Sequence, residues 1–191
     1  MRCFVAVAMP PEIRARLAGL QRDLSRDVDG VRWLRADAMH LTLCFLGECD
    51  DVTRASIGAA LASSIPGSTG LLHLRVIGVG RFPRTGRARV IWCGIAGAVE
   101  DGDDMERLEA LHDRVRGAAE RGGARLESRP FRPHLTLGRF KVPAAARSIS
   151  AALEPLNGAE MGDLTVRRVS LYRSVLTRDG AEHTEIAGYE L

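Results

Sequence analysis

The sequence predicts an α+β fold of two pseudo-symmetric lobes, each a mainly antiparallel sheet with flanking helices, facing across a central groove. Three features point to it. The tetrapeptide His40-Leu41-Thr42-Leu43 recurs unchanged as His134-Leu135-Thr136-Leu137. Around each copy the apolar pattern reads strand, helix, motif strand, helix, strand, which is a repeat of organisation more than of identity. Between the two runs lies a Gly- and Pro-punctuated basic stretch, Gly80 to Arg89, that reads as a loop. The expected unit is one bilobal domain over residues 1–191, its lobe halves near 1–80 and 88–191.

In chain order, the apolar Met1-Arg2-Cys3-Phe4-Val5-Ala6-Val7-Ala8 is an opening strand; it is short, and Pro10-Pro11 and charged residues follow without a small-residue cleavage site, so it does not read as a leader. Ile13, Leu17, Leu20 and Leu24 fall on one face of a first helix, with Pro11 in the tolerated first turn. Strands are expected over residues 31–34 and 39–46. Asp50-Asp51 caps a helix whose Ile57, Leu61 and Ile65 repeat at four, and Pro66-Gly67 ends it. Further strands are expected at about 71–79 and 90–95. Asp103-Asp104 caps a helix with Met105, Leu108, Leu111 and Val115 on one face, closed by Gly122-Gly123. A motif strand over 131–140, a helix over 144–153 and strands near 164–175 and 182–191 complete the pattern.

With 46% hydrophobic and 27% charged residues in 191, the chain can bury a core of ordinary single-domain size, and no apolar run approaches the roughly 20 residues a membrane helix needs. A monomer is expected. Cys3, Cys44, Cys49 and Cys93 form no C-x-x-C pair, which fits reduced thiols in a cytoplasm. The formal charge is only +3, so any nucleic-acid contact must come from a local basic cluster. Lys141 is the sole lysine, and no phosphate-binding loop, H-E-x-x-H, G-x-S-x-G or dinucleotide fingerprint occurs. Neither a cofactor nor a metal is expected, and Cys44-x₄-Cys49 lacks the second pair of a zinc site.

The repeated motif carries the chemistry. On a strand, residues i and i+2 share a face, so each copy presents an imidazole beside a hydroxyl while its two leucines enter the core. A lone copy is what any half-buried strand looks like; two copies at matching places are not. Histidine, with a reference pKa of about 6.5, exchanges protons near neutrality. In-line displacement at phosphorus needs a base on one side and an acid on the other, which two imidazoles in opposite protonation states supply. Threonine hydroxyls can bond the non-bridging phosphoryl oxygens.

With its flanks, the motif resembles the two-histidine (2H) phosphoesterases, and within them the RNA 2′,3′-cyclic phosphodiesterases, also called 2′-5′ RNA ligase-like proteins. The resemblance rests on Met1-Arg2-Cys3-Phe4-Val5-Ala6 with Pro-Pro-Glu after it, Val31-Arg32-Trp33-Leu34, His40-Leu41-Thr42-Leu43-Cys44-Phe45-Leu46-Gly47, Arg89-Val90-Ile91-Trp92, and Arg129-Pro130-Phe131-Arg132-Pro133-His134-Leu135-Thr136-Leu137-Gly138-Arg139. It implies metal-independent hydrolysis of an RNA terminal 2′,3′-cyclic phosphate to a 2′-phosphomonoester, with 2′-5′ ligation as a side activity. The implied substrates are RNA 3′ ends or nucleoside 2′,3′-cyclic phosphates. It also implies that His40 is the proton donor and His134 the acceptor; the two motifs are chemically alike, so that order comes from the resemblance alone. A small cyclic nucleotide or an ADP-ribose cyclic phosphate as substrate, or an RNA-binding module without turnover, are the competing readings.

Thr42 and Thr136 are candidate substrate-binding residues. Strand alternation puts Arg132 on the face of His134 and Thr136, whereas Arg139 falls on the leucine face unless a bulge turns it. Both are candidate phosphate ligands. Arg81, Arg84, Arg87 and Arg89 with Phe82 have the make-up of an RNA-tracking loop. Phe45 and Trp33 are expected in the core, and His73, His112 and His183 as ordinary surface or half-buried residues.

Overall fold

The computed structural model describes residues 1–99, 102–177 and 180–191. Nine strands and four helices follow one another as β1 (Arg2–Ala8), α1 (Pro11–Asp27), β2 (Val31–Trp33), β3 (His40–Glu48), α2 (Asp51–Ser64), β4 (Leu72–Phe82), β5 (Ala88–Gly97), α3 (Asp104–Arg121), β6 (His134–Ala144), α4 (Ala146–Leu153), β7 (Glu160–Val166), β8 (Arg168–Thr177) and β9 (Gly180–Glu190). The expected helices form, although α3 begins without the expected cap, since the Asp103 side chain makes no capping hydrogen bond. Ile13, Leu17, Leu20 and Leu24 of α1 are buried, and the Asp50 side chain accepts from the Thr53 amide at the start of α2, a cap worth about 1 kcal/mol. Leu108, Leu111 and Val115 of α3 are fully buried.

All strand pairs are antiparallel, in the order β7-β4-β5-β6-β3-β1-β8-β9, with β2 paired to β6. The middle of this sheet is thin: β3 and β6 share a single register pair, Leu41 with Leu135. Two half-sheets therefore meet at the two motif strands, β7-β4-β5-β6 on one side and β3-β1-β8-β9 on the other.

The half-sheets are not the chain halves expected near 1–80 and 88–191. Strand β4, from the first half, pairs with β5 and β7, and β8 and β9 extend β1. The helices cross over too: α1 packs against β7, and α3 against β3. Each half thus lends elements to the other's sheet, which knits the lobes into one core.

Three boundaries differ from the sequence pattern. The segment 164–175 spans the junction of β7 and β8. Strand β4 continues through Arg81 and Phe82, shortening the basic loop. Strand β6 starts at His134, not at 131, because the Pro130 and Pro133 rings remove ladder donors just before it.

Candidate functional site

Leu41 and Leu135, opposite one another, are both fully buried. Their neighbours His40, Thr42, His134 and Thr136 therefore share the other face of the sheet, and the antiparallel register sets His40 across from Thr136 and His134 across from Thr42. A pseudo-two-fold axis passes between the two leucines. His40 Nδ1 lies 2.8 Å from the Ala38 carbonyl and His134 Nδ1 2.6 Å from the Arg132 carbonyl. A carbonyl can only accept, so both rings carry their proton on Nδ1, leaving Nε2 free to take or give one. Neither threonine hydroxyl has a protein partner among the described residues.

Burial drives the His40 pKa from 6.5 down to about 4, with His183 and His134 adding repulsion and the Ala38 carbonyl opposing. His134 is lowered as well, by burial first and by the Arg139 charge, against the Arg132 carbonyl. The environments are aromatic: Phe4 stacks on His40 at 4.5 Å between centroids, and Phe82 meets His134 edge-on at 5.0 Å. Such walls strip water from the imidazoles and account for the shifts.

A cavity of about 520 Å³ opens beside these residues, within the range of small-molecule sites. His40, Thr42 and Thr136 line it with Phe45, Trp33, Arg32, Arg139 and His183. His134 lies on the same sheet face just past the lining, next to Thr136.

The arginine expectations divide. Arg132 precedes the strand and is exposed; it contributes its carbonyl to His134 and its side chain does not line the cavity. Arg139 does line it, because β6 bulges: Thr136 pairs with Trp92 and Gly138 with Ile91, so Leu137 is the extra residue and parity flips. Strand β3 bulges at the matching place, where Thr42 pairs with Ala6 and Cys44 with Val5, leaving Leu43 extra. Phe45 is turned outward as a result. It is 67% exposed, contrary to a core placement. Trp33 is half-buried and lines the cavity as well as touching the core.

The basic loop is partly structural. Arg81 donates to the Pro83, Arg84 and Gly86 carbonyls and to Ser150 Oγ, and Arg87 to the Pro143 carbonyl. Two of its four arginines are thus committed to holding the loop.

His183 is the residue the sequence does not reveal. From β9 its ring meets His40 edge-on at 5.1 Å, and its Nδ1 is buried without a hydrogen-bond partner among the described residues. Burial lowers its pKa, partly offset by Asp37. Nothing within β9 distinguishes it; it reaches the site only because β8 carries β9 alongside β1. Arg32, opposite Arg139 on β2, is a second such residue.

The 2′-5′ RNA ligase superfamily model matches residues 3–178, and the chain belongs to that superfamily, as the motif resemblance led one to expect. Among curated relatives, an RNA 2′,3′-cyclic phosphodiesterase of Aeropyrum pernix is 32% identical over 165 residues, covering 86% of this chain and 89% of that protein. One from Archaeoglobus fulgidus is 27% identical over 190 residues, covering 100% of both chains. Of solved structures, TT0787 of Thermus thermophilus gives a TM-score of 0.79 at 27% identity, over 100% of this chain and 98% of that one. Escherichia coli LigT complexed with 3′-AMP gives 0.77 at 26% identity, over 100% and 97%.

Proposed function

We propose that the chain hydrolyses RNA terminal 2′,3′-cyclic phosphates to 2′-phosphomonoesters without a metal, using His40 and His134 as an acid–base pair. The observation that carries this reading is the two-fold presentation of the imidazoles: both fixed as Nδ1–H by a backbone carbonyl, each with a free Nε2 and a threonine hydroxyl across the sheet. Family membership and relatives named RNA 2′,3′-cyclic phosphodiesterase support it.

In the proposed reaction His134 Nε2 takes a proton from water as its oxygen attacks phosphorus. The P–O3′ bond breaks on the opposite side, and His40 Nε2–H protonates the departing 3′ oxygen, leaving the 2′-phosphate. Thr42 and Thr136 donate to the non-bridging oxygens, and Arg139 balances their charge. Phe45 and Trp33 offer apolar surface to the terminal base and Arg32 a cation to the adjoining phosphate. With a 5′-hydroxyl in place of water, the same displacement gives a 2′-5′ linkage.

His40, with a pKa of about 4 in the open groove, must gain a proton to act as donor. The substrate's phosphate anion against Nε2 supplies that bias, because an opposite charge favours the imidazolium.

Purified protein incubated with a nucleoside 2′,3′-cyclic phosphate in EDTA tests the proposal. Full turnover by wild type, and about 10²–10⁴-fold less by His40→Ala or His134→Ala, is expected. Phosphorus NMR should show the 2′-monoester. Loss of turnover on chelation would end the metal-free mechanism, and a 3′-monoester would reverse the leaving-group assignment.

A further inference from the structure

The two bulges that deliver Phe45 and Arg139 to the cavity carry matching attachments behind the sheet. Leu43 and Leu137, the extra residues, are 2% and 0% exposed, so their carbonyls have no access to water and need protein donors. The Leu43 carbonyl is 2.7 Å from His112 Nδ1 on α3, and the Leu137 carbonyl is 2.7 Å from Gln21 Nε2 on α1. Gln21 also donates to the Leu34 carbonyl at 2.9 Å, and the Leu34 amide donates to Leu137, so the amide ties the end of β2 to the β6 bulge. His112 is held flat against Phe131, ring centroids 4.1 Å apart.

We propose that Gln21 and His112 are positioning residues, each latching one bulge and thereby fixing which side chain faces the substrate. The inference rests on the reading of the cavity as a cyclic-phosphate site. Among the described residues only four polar or charged side chains count as buried, Gln21, Asp104, His112 and Ser170. Two of these four donate to the two bulges. A leucine would fill either helix face and would not require a partner; instead a side-chain donor meets each bulge carbonyl, at Leu43 from His112 and at Leu137 as a second donor beside the Leu34 amide. The consequence reaches the site through parity. With regular alternation, Phe45 and Arg139 would follow Leu43 and Leu137 into the core, and Cys44 and Gly138 would face the groove. The latched bulge exchanges a thiol and a hydrogen for an aromatic and a cation. The latches are independent, one per half-site, so each governs its own contact: His112 the aromatic surface at Phe45, Gln21 the charge at Arg139.

Substitutions that keep shape and remove only the donor test this. Gln21→Leu and His112→Phe are each expected to raise KM for a nucleoside 2′,3′-cyclic phosphate about tenfold, a loss of one good contact, with kcat within about twofold. Donor-restoring variants Gln21→His and His112→Gln should return KM toward wild type. In double variants the losses should not add: Gln21→Leu in an Arg139→Ala background, and His112→Phe in a Phe45→Ala background, should change KM no further. A residue that only stabilised the fold would lower the unfolding midpoint in all four variants and give additive losses, and that result overturns the proposal. So does a wild-type KM in both donor-free variants.

Amide exchange provides a reading that needs no substrate. Gln21→Leu should speed exchange about tenfold over residues 136–140 and at the Leu34 amide they hold, and His112→Phe over 42–46; equal protection in all variants rejects the latches. A wild type that does not turn over the cyclic phosphate would refute the reading of the site, while the exchange pattern would still decide between latch and filler. Should Gln21→Leu fold poorly, Gln21→Met keeps the unbranched side chain and serves in its place.

Discussion

Strands β3 and β6 are two versions of one half-site. Both run His-Leu-Thr-Leu from a histidine anchored on the carbonyl two residues earlier, both bulge at the second leucine, and both show the same alternation of burial through the six residues that follow from the histidine. They part after the bulge, Cys44-Phe45 in one and Gly138-Arg139 in the other. In β6 the glycine is needed because β2 crosses there: a Cβ on Gly138 would sit 2.4 Å from Val31 Cγ1 and 2.9 Å from Trp33 Cε3. No strand crosses β3 at that point among the described residues, so it tolerates a buried cysteine. What the difference teaches is a division of labour. On the proposed function, the shared part would supply acid–base groups and hydroxyls to one phosphoryl group, while the divergent part turns an aromatic toward the cavity on one side and a cation on the other.

The comparison breaks first at the histidines. If the halves act on one phosphorus atom, His40→Ala and His134→Ala each cost about 10²–10⁴-fold in kcat, and the double variant little more than either alone; multiplicative losses in a single-turnover assay would mean separate sites. Next come the threonines, where Thr42→Val and Thr136→Val should each lower kcat about 10²-fold through loss of a donor to the phosphoryl oxygens. A large effect from one and none from the other would disprove the two-fold pairing.

The divergent residues sharpen the contrast. Arg139→Ala should raise KM about tenfold for every base, and less so in high salt, while Phe45→Ala should raise it about tenfold for purines and less for pyrimidines. Steady-state kinetics on four nucleoside cyclic phosphates at two ionic strengths separates them. A smaller asymmetry lies in stability. Gly138→Ala should cost about 1–3 kcal/mol by forcing β2 away, and Cys44→Ala about 1 kcal/mol for lost burial; urea midpoints read both.

The pH profile tests the site as a whole. Both rings titrate below 6.5 in the open groove, His40 at about 4. An acid–base pair needs one ring protonated and one neutral, so kcat/KM, which reports the free enzyme, should peak between about 4 and 6.5 and fall as pH rises past 6.5. The profile of kcat should lie to the alkaline side, since bound phosphate anion raises both. His183→Phe removes a repulsive charge from beside His40, so the acidic limb of kcat/KM should move up.

Helix faces, the capped start of α2 and the motif strands were readable because each depends on spacing within a few residues: Ile13 to Leu24 at helical period, Asp50 before its helix, His and Thr at i and i+2. Phe45 faces outward for a specific reason, the bulge at Leu43. Strict alternation carries parity only as far as the next bulge; no residue in Leu-Cys-Phe announces one, whereas the strand glycine Gly138 in Leu-Gly-Arg is the kind of residue that does. Arg132 departs from alternation for the converse reason, since β6 begins only at His134 and no strand runs back through Pro133. His183, Arg32, Gln21 and His112 lie beside residues far away along the chain, and such proximity leaves no local trace.

By itself, then, the sequence determined the repeated chemical unit, an imidazole and a hydroxyl on one face of each of two strands, because side-chain direction along a short regular strand is a local property of the backbone. The tertiary structure decided that the half-sheets exchange strands and helices, that both motifs meet at one pair of leucines, and that two bulges turn Phe45 and Arg139 toward the cavity. Those outcomes depend on which distant segments pair and which buried carbonyls find donors, and long-range pairing is settled only when the whole core packs at once.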